Sequence, residues 1–135
     1  MSTLTKFFFR YPDHATSSWS IVNWWESRRL AYNLSVGTAG VISLMAVEIL
    51  TLLPPHPVHL RIPWQGVAAY AVLANICYSA GPLAELTIRR LWGHELDPVG
   101  PALFRYGFAF SIGLTLLPIG LAMIAWLTRL AGFLS

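Results

Sequence analysis

The sequence predicts an all-α fold, an integral membrane bundle of three transmembrane helices with an interfacial aromatic N-terminal segment. Three observations carry this expectation. The 135-residue chain is 56% apolar and only 11% charged, where soluble domains carry about 25% charged residues. Its mean hydropathy is +0.57. Its few charges are also unevenly spread, so that long uncharged stretches lie between them. A bilayer demands that pattern, because backbone polar groups must be paired inside their own helix and a charge at mid-depth costs a few kcal/mol or more.

The elements follow in chain order. Residues 1–29 form a cytoplasmic or interfacial segment, mixed and aromatic, with Pro12-Asp13 in a turn-like setting and Trp19, Trp24 and Trp25 close to the headgroup level. Indoles favour that level because the ring is apolar and its N–H needs a partner. The cluster Phe7-Phe8-Phe9 is too short for the apolar region of a cleaved signal peptide. Residues 30–135 form the three-helix domain. A first span over 30–53 covers about 36 Å at 1.5 Å per residue, enough for a hydrocarbon core about 30 Å thick. Pro54-Pro55-His56-Pro57 ends it, since proline lacks the donor and clashes with the preceding turn. A second span over 63–86 opens on Pro63, a favoured first-turn residue, and contains Gly81-Pro82. A turn over 93–101 leads to a third span over 102–127, with Pro118-Ile119-Gly120 as a second kink site.

The net charge of +3 reflects arginines that bracket apolar spans, so topology explains it better than nucleic acid does. Lys6, Arg10, Arg28, Arg29, Arg89, Arg90 and Arg105 fall on the N-terminal side, and Arg61 and Arg129 on the other. The positive-inside rule then predicts a bacterial cytoplasmic (inner) membrane protein with its N-terminus in the cytoplasm and its C-terminus in the periplasm.

At 100° per residue, Glu26, Arg29, Asn33, Gly37 and Gly40 share one stripe of the first helix. Asn75, Tyr78, Pro82, Glu85 and Arg89 share one on the second, and Arg105, Phe108, Ser111 and Thr115 one on the third. Polar and small residues gathered on one face turn inward, so these stripes are expected to face one another. By depth, Glu26, Arg28, Arg29, Glu85, Arg89, Arg90 and Arg105 meet near the cytoplasmic interface. Two carboxylates among five guanidiniums form either a clasp that fixes helix register or a site for an anion or lipid headgroup. Asn33, Glu48, Asn75 and Tyr78 are the polar residues at membrane depth. Asn75 is expected to bond across a helix interface. Glu48 is a proton or cation site, or it snorkels outward to pair with Arg61 or an outer histidine.

Catalytic and cofactor signals are weak. No nucleophile elbow, phosphate-cradling glycine loop or His-Glu-x-x-His motif is present, so no enzymatic activity is expected. His14, His56, His59 and His94 all fall in loops or at an interface, which leaves no axial ligand for a haem or chlorophyll at depth. The pair His56 and His59 could touch a metal or pigment at the outer surface, though two histidines without a cysteine or carboxylate make a poor site. The lone Cys77 forms no intramolecular disulfide. No cofactor is predicted. Bound lipids are expected, with peripheral pigment or quinone contact as the remaining option.

The segment Trp25-Glu26-Ser27-Arg28-Arg29-Leu30-Ala31-Tyr32-Asn33 resembles the Trp-Glu-x-Arg-Arg-x-x-Tyr-Asn entry to the first helix of a family of small, uncharacterised bacterial multi-span membrane proteins. Asn75-Ile76-Cys77-Tyr78-Ser79-Ala80-Gly81-Pro82-Leu83-Ala84-Glu85 is similar to a second signature, Asn-x-x-Tyr-x-x-Gly-x-x-x-Glu. Phe110-Ser111 with Leu114-Thr115-Leu116-Leu117-Pro118 is similar to its third-helix pattern. The resemblance covers most of the chain from Trp24 onward and implies the three-span fold; the family has no agreed activity. A fainter resemblance is to the small accessory subunits beside phototrophic reaction centres. The expected function is therefore a non-catalytic accessory subunit of a larger membrane complex, with a photosynthetic or light-harvesting one among the candidates. Its partners would be other membrane subunits and lipids, not nucleic acid. The alternatives are a small oligomeric transporter working through Glu48 and Asn75, and a lipid- or quinone-binding protein using the arginine cluster.

Overall fold

A computed structural model describes residues 17–59, 61–92 and 99–134. They form three helices, α1 (Ser18–Leu52), α2 (Trp64–Trp92) and α3 (Gly100–Leu134). All three are long and apolar enough to cross a membrane. Their apolar side chains cover little of one another: only 6% of the most apolar stretch of α3 is buried.

The helices outrun the apolar spans. α1 begins at Ser18 rather than near Leu30, capped by Ser17, whose Oγ accepts from the Ser20 N–H at 3.2 Å. Charges mark where an apolar span ends; they do not interrupt backbone hydrogen bonding. Ser18–Val36 contains neither glycine nor proline, and Glu26 and Arg29 pair at i,i+3 within the helix. For the same reason α2 continues through Arg89 and Arg90, and α3 runs past Leu127. Pro82 and Pro118 both sit inside continuous helices. The rest of the aromatic N-terminal segment, with Phe7, Phe8, Phe9 and His14, and the turn with His94 lie outside the described residues.

The interface of α1 with α3 is the most extensive of the three. Tyr32 meets Ser111 while Arg129 meets Leu50, so α1 and α3 run parallel. Trp25 meets Glu85 while Asn33 meets Asn75, so α2 is antiparallel to α1. The core lies toward the arginine-rich end and is mostly aromatic: Ile21, Trp24, Trp25, Tyr32, Val36, Tyr78 and Phe104. Edge-on ring pairs run from Trp24 to Trp25 (5.4 Å) and from Trp25 to Tyr78 (5.6 Å) and Phe104 (5.8 Å), and Phe104 stacks on Phe108 at 5.8 Å and 7°. Each such pair contributes about 0.5–1.5 kcal/mol beyond its buried area.

The inward stripe of α1 corrects the expected register. Buried beside Trp24 are Ile21, Trp25, Arg28, Tyr32, Val36, Ala39 and Ser43, a seam of three- and four-residue steps. The stripe Glu26–Arg29–Asn33–Gly37–Gly40 sits one residue, about 100°, to its side. Glu26 and Gly37 are exposed, and Arg29, Asn33 and Gly40 are half-buried. Large aromatic rings fill the space between three helices better than a polar stripe does, so they take the seam and the polar residues flank it. On α3 the seam passes through Phe104, Phe108, Ser111 and Thr115, and Arg105 is exposed. The stripe expected on α2 does face inward, with Tyr78, Pro82 and Glu85 buried.

The opposite end is held by Arg129 and Trp126 of α3. Arg129 donates from Nη2 to the Leu50 carbonyl (2.9 Å) and from Nη1 to those of His56 (3.1 Å) and Thr51 (3.4 Å). Trp126 Nε1 donates to the Pro54 carbonyl at 2.9 Å. The last carbonyls of a helix have no partner within it, and here a neighbouring helix supplies the donors.

Candidate functional site

Trp25 is the centre of the arginine-rich end. Its Nε1 donates to Glu85 Oε2 at 2.8 Å. Its ring lies against Gly81, one turn before Glu85, so closely that a β-carbon there would collide with the indole. Its own carbonyl accepts from the Tyr78 hydroxyl at 2.5 Å. One residue on α1 thus engages three positions of α2 that share a helix face, Tyr78, Gly81 and Glu85.

Glu85 is fully buried. An unpaired carboxylate in such a place would cost several kcal/mol. Besides the Trp25 donor, Arg89 Nη2 lies 3.4 Å from Oε1. The carboxylate also rests against Gly100, the first residue of α3, where any β-carbon would overlap it. A helix N-terminus favours negative charge by about 0.3–1 kcal/mol. Glu85 therefore ties all three helices together, and Gly81 and Gly100 are the two seats that make the approach possible.

A second tier of contacts follows along the bundle. Arg29 pairs with Glu26 through Nη2 (2.6 Å) and Nε (2.9 Å), donates to Ser79 Oγ of α2 at 3.2 Å, and lies 5.1 Å from the Tyr78 ring centre. Asn33 Nδ2 donates to Asn75 Oδ1 at 3.2 Å. The Tyr32 hydroxyl shares a hydrogen bond with Ser111 Oγ at 2.8 Å, and Tyr70 shares one with Thr115 Oγ1 at 2.6 Å. Arg28 is buried, with its guanidinium 4.0 Å from the Trp24 ring centre and Nη1 donating to the Trp24 carbonyl at 2.8 Å.

Among the described residues, the expected cluster of seven charges contains the Glu26–Arg29 pair on the flank of α1 and the buried Glu85–Arg89 pair on α2. Arg28 turns into the aromatic core. Arg90 and Arg105 are exposed, because each points away from the seam of its own helix. Farther along, Glu48 Oε1 lies 3.4 Å from His59 Nδ1, so the outer charge meets a loop histidine. Among the described residues no group of three or more His, Cys, Asp or Glu side chains could hold a metal ion.

Sequence reasoning missed Trp25 as the donor to Glu85, the seats at Gly81 and Gly100, and the Arg129 clasp. The i,i+4 spacing of Gly81 and Glu85 on one helix face was the available signal for the first two. Arg129 carried none, since its partners are backbone carbonyls.

Comparison with protein-family models, with curated proteins and with solved structures returns no match for this chain. The geometry is therefore the ground for a functional reading. Residues of the three helices engage one another directly: Trp25, Arg29, Tyr32 and Asn33 on α1, Tyr70, Asn75, Tyr78, Ser79, Gly81 and Glu85 on α2, Ser111 and Thr115 on α3. Chemically, these contacts fix the relative register of three helices.

Proposed function

We propose that this chain is a non-catalytic subunit of a larger bacterial membrane complex, inserted by three helices with its N-terminus in the cytoplasm. The observation that carries the proposal is how the polar side chains at depth are used. Glu85 is committed to Trp25 and Arg89, Asn75 to Asn33, and the Tyr32 and Tyr70 hydroxyls to Ser111 and Thr115. Asn75 and Glu85 serve here as locks between helices, while Glu48 meets the loop residue His59. What the bundle then offers to its surroundings is a rigid apolar perimeter, with Leu34, Val41, Ile76, Phe110, Leu121 and Ile124 all exposed. Such a perimeter suits packing against other transmembrane helices.

The orientation rests on the excess of arginine at one end. The resemblance to the small subunits beside phototrophic reaction centres makes a pigment–protein complex the first partner to examine. Purification of the tagged chain from its native membrane in a mild detergent, followed by native mass spectrometry, tests the proposal. Defined partner subunits in fixed stoichiometry are the expected result. A chain that emerges alone or only with itself refutes it.

A further inference from the structure

On the flank of α1 and α2 lies an open groove of about 710 Å³, lined by Arg29, Ala71, Val72, Ile76, Ala80 and Leu83, with Asn75 and Ser79 along one wall. The Arg29 guanidinium sits partway along it. Its Nε and Nη2 are bound to Glu26 and Ser79, and among the described residues Nη1 has no acceptor. In hydrocarbon a free N–H is costly, so two donors at the edge of an apolar groove call for an oxygen from outside the protein. Water alone explains the guanidinium but not the apolar trough that continues along Ile76 and Val72. Leu83 and Arg90 are seven residues apart on α2 and so share a face. Arg90 is exposed and adds a second cation in line with the groove. Among the described residues at this end, five arginines stand against two glutamates.

We infer that the α1–α2 groove binds one anionic phospholipid of the inner leaflet, its phosphate accepting from Arg29 Nη1 and its acyl chain lying along Ile76 and Val72. Basic pockets between helices at the cytoplasmic surface recognise lipid headgroups in this way, and a guanidinium meets a phosphate oxygen with well-directed donors. Glu26 is a built-in competitor, holding the opposite edge of the same guanidinium. The inference rests on the membrane reading above but not on the subunit reading.

The test uses the full chain reconstituted into phosphatidylcholine vesicles, with flotation confirming insertion before lipid is varied. Native mass spectrometry then compares retention of phosphatidylglycerol with that of phosphatidylcholine at equal concentration. One extra equivalent of phosphatidylglycerol, held roughly tenfold more tightly, is the expected result for a single charge-assisted phosphate contact. Arg29→Gln should abolish the preference. Ala80→Phe, which fills the groove and leaves the guanidinium in place, should lower retention of both lipids. Glu26→Gln should raise phosphatidylglycerol retention, an effect opposite in sign to the loss of an ion pair that served structure alone. Equal retention of the two lipids by the parent chain overturns the inference, and so does an unchanged preference in Arg29→Gln. Failure to float with vesicles would instead overturn the membrane reading.

Discussion

Replacing Gly81 with Ala puts a methyl group where the Trp25 indole already lies. The ring has little room to retreat. Tyr78 and Phe104 hold it edge-on at 5.6 and 5.8 Å, and its Nε1 is tied to the buried Glu85 at 2.8 Å. Overpacking of this kind costs about 1–3 kcal/mol. A shift of the indole sufficient to relieve it would also stretch a bond to a buried charge, worth about 1.5–3 kcal/mol. Alanine, however, is the better helix former by about 0.8–1.0 kcal/mol. Gly81→Ala should therefore destabilise the bundle by a net 1–2 kcal/mol or so. Trp25→Phe removes the ring atoms that the new methyl meets. In that background the same change should become neutral or mildly stabilising, and the reversal of sign is the diagnostic. Denaturation in mixed micelles of mild and denaturing detergent, followed by far-UV circular dichroism, gives the four free energies of the cycle. Equal cost of Gly81→Ala with Trp and with Phe at position 25 would refute the close seat.

Three further outcomes follow from the same contacts. Glu85→Ala leaves the Trp25 N–H and the Arg89 guanidinium without their shared acceptor and should cost about 3–5 kcal/mol, read in the same micelle titration. Arg129→Met removes three hydrogen bonds to carbonyls near the end of α1 and should speed hydrogen exchange at the Val58 amide, which donates to Thr51, while amides near Trp25 keep their protection. Glu48→Gln weakens the pair with the exposed His59, worth at most about 1 kcal/mol, so the melting temperature should hardly move. Loss of a transport activity in that variant would support the competing transporter reading.

Much of the fold was legible because hydropathy and proline punctuation are strong, local signals. The first helix ends just before Pro54-Pro55 and the third begins at Gly100, close to the expected bounds, and the α2 stripe of Tyr78, Pro82 and Glu85 faces inward as its spacing predicts. The seam of α1 was not legible, since a stripe of polar and small residues lies beside one of large aromatics. Both carry helical spacing, and they differ by a single residue. The choice between them depends on how Trp25, Tyr32, Tyr78 and Phe104 fill one volume together, which no single helix reveals. The contacts within the expected seven-charge cluster were legible only by depth. Proximity in depth brings charges to one end of a bundle, but the direction of each side chain decides which of them meet. Arg90 and Arg105 reach that end and face outward. The donor to Glu85 proved to be an indole, a residue read from sequence only as an interfacial anchor.

The register of α1 is most directly tested by a nitroxide scan of positions 30–43 in lipid vesicles, with oxygen and a water-soluble nickel complex as collision partners. Oxygen accessibility should oscillate with helical period, high at Leu30, Leu34 and Val41 and low at Tyr32, Val36, Ala39 and Ser43. Minima at Asn33, Gly37 and Gly40, or nickel accessibility along the whole stretch, would contradict the seam or the bilayer around it.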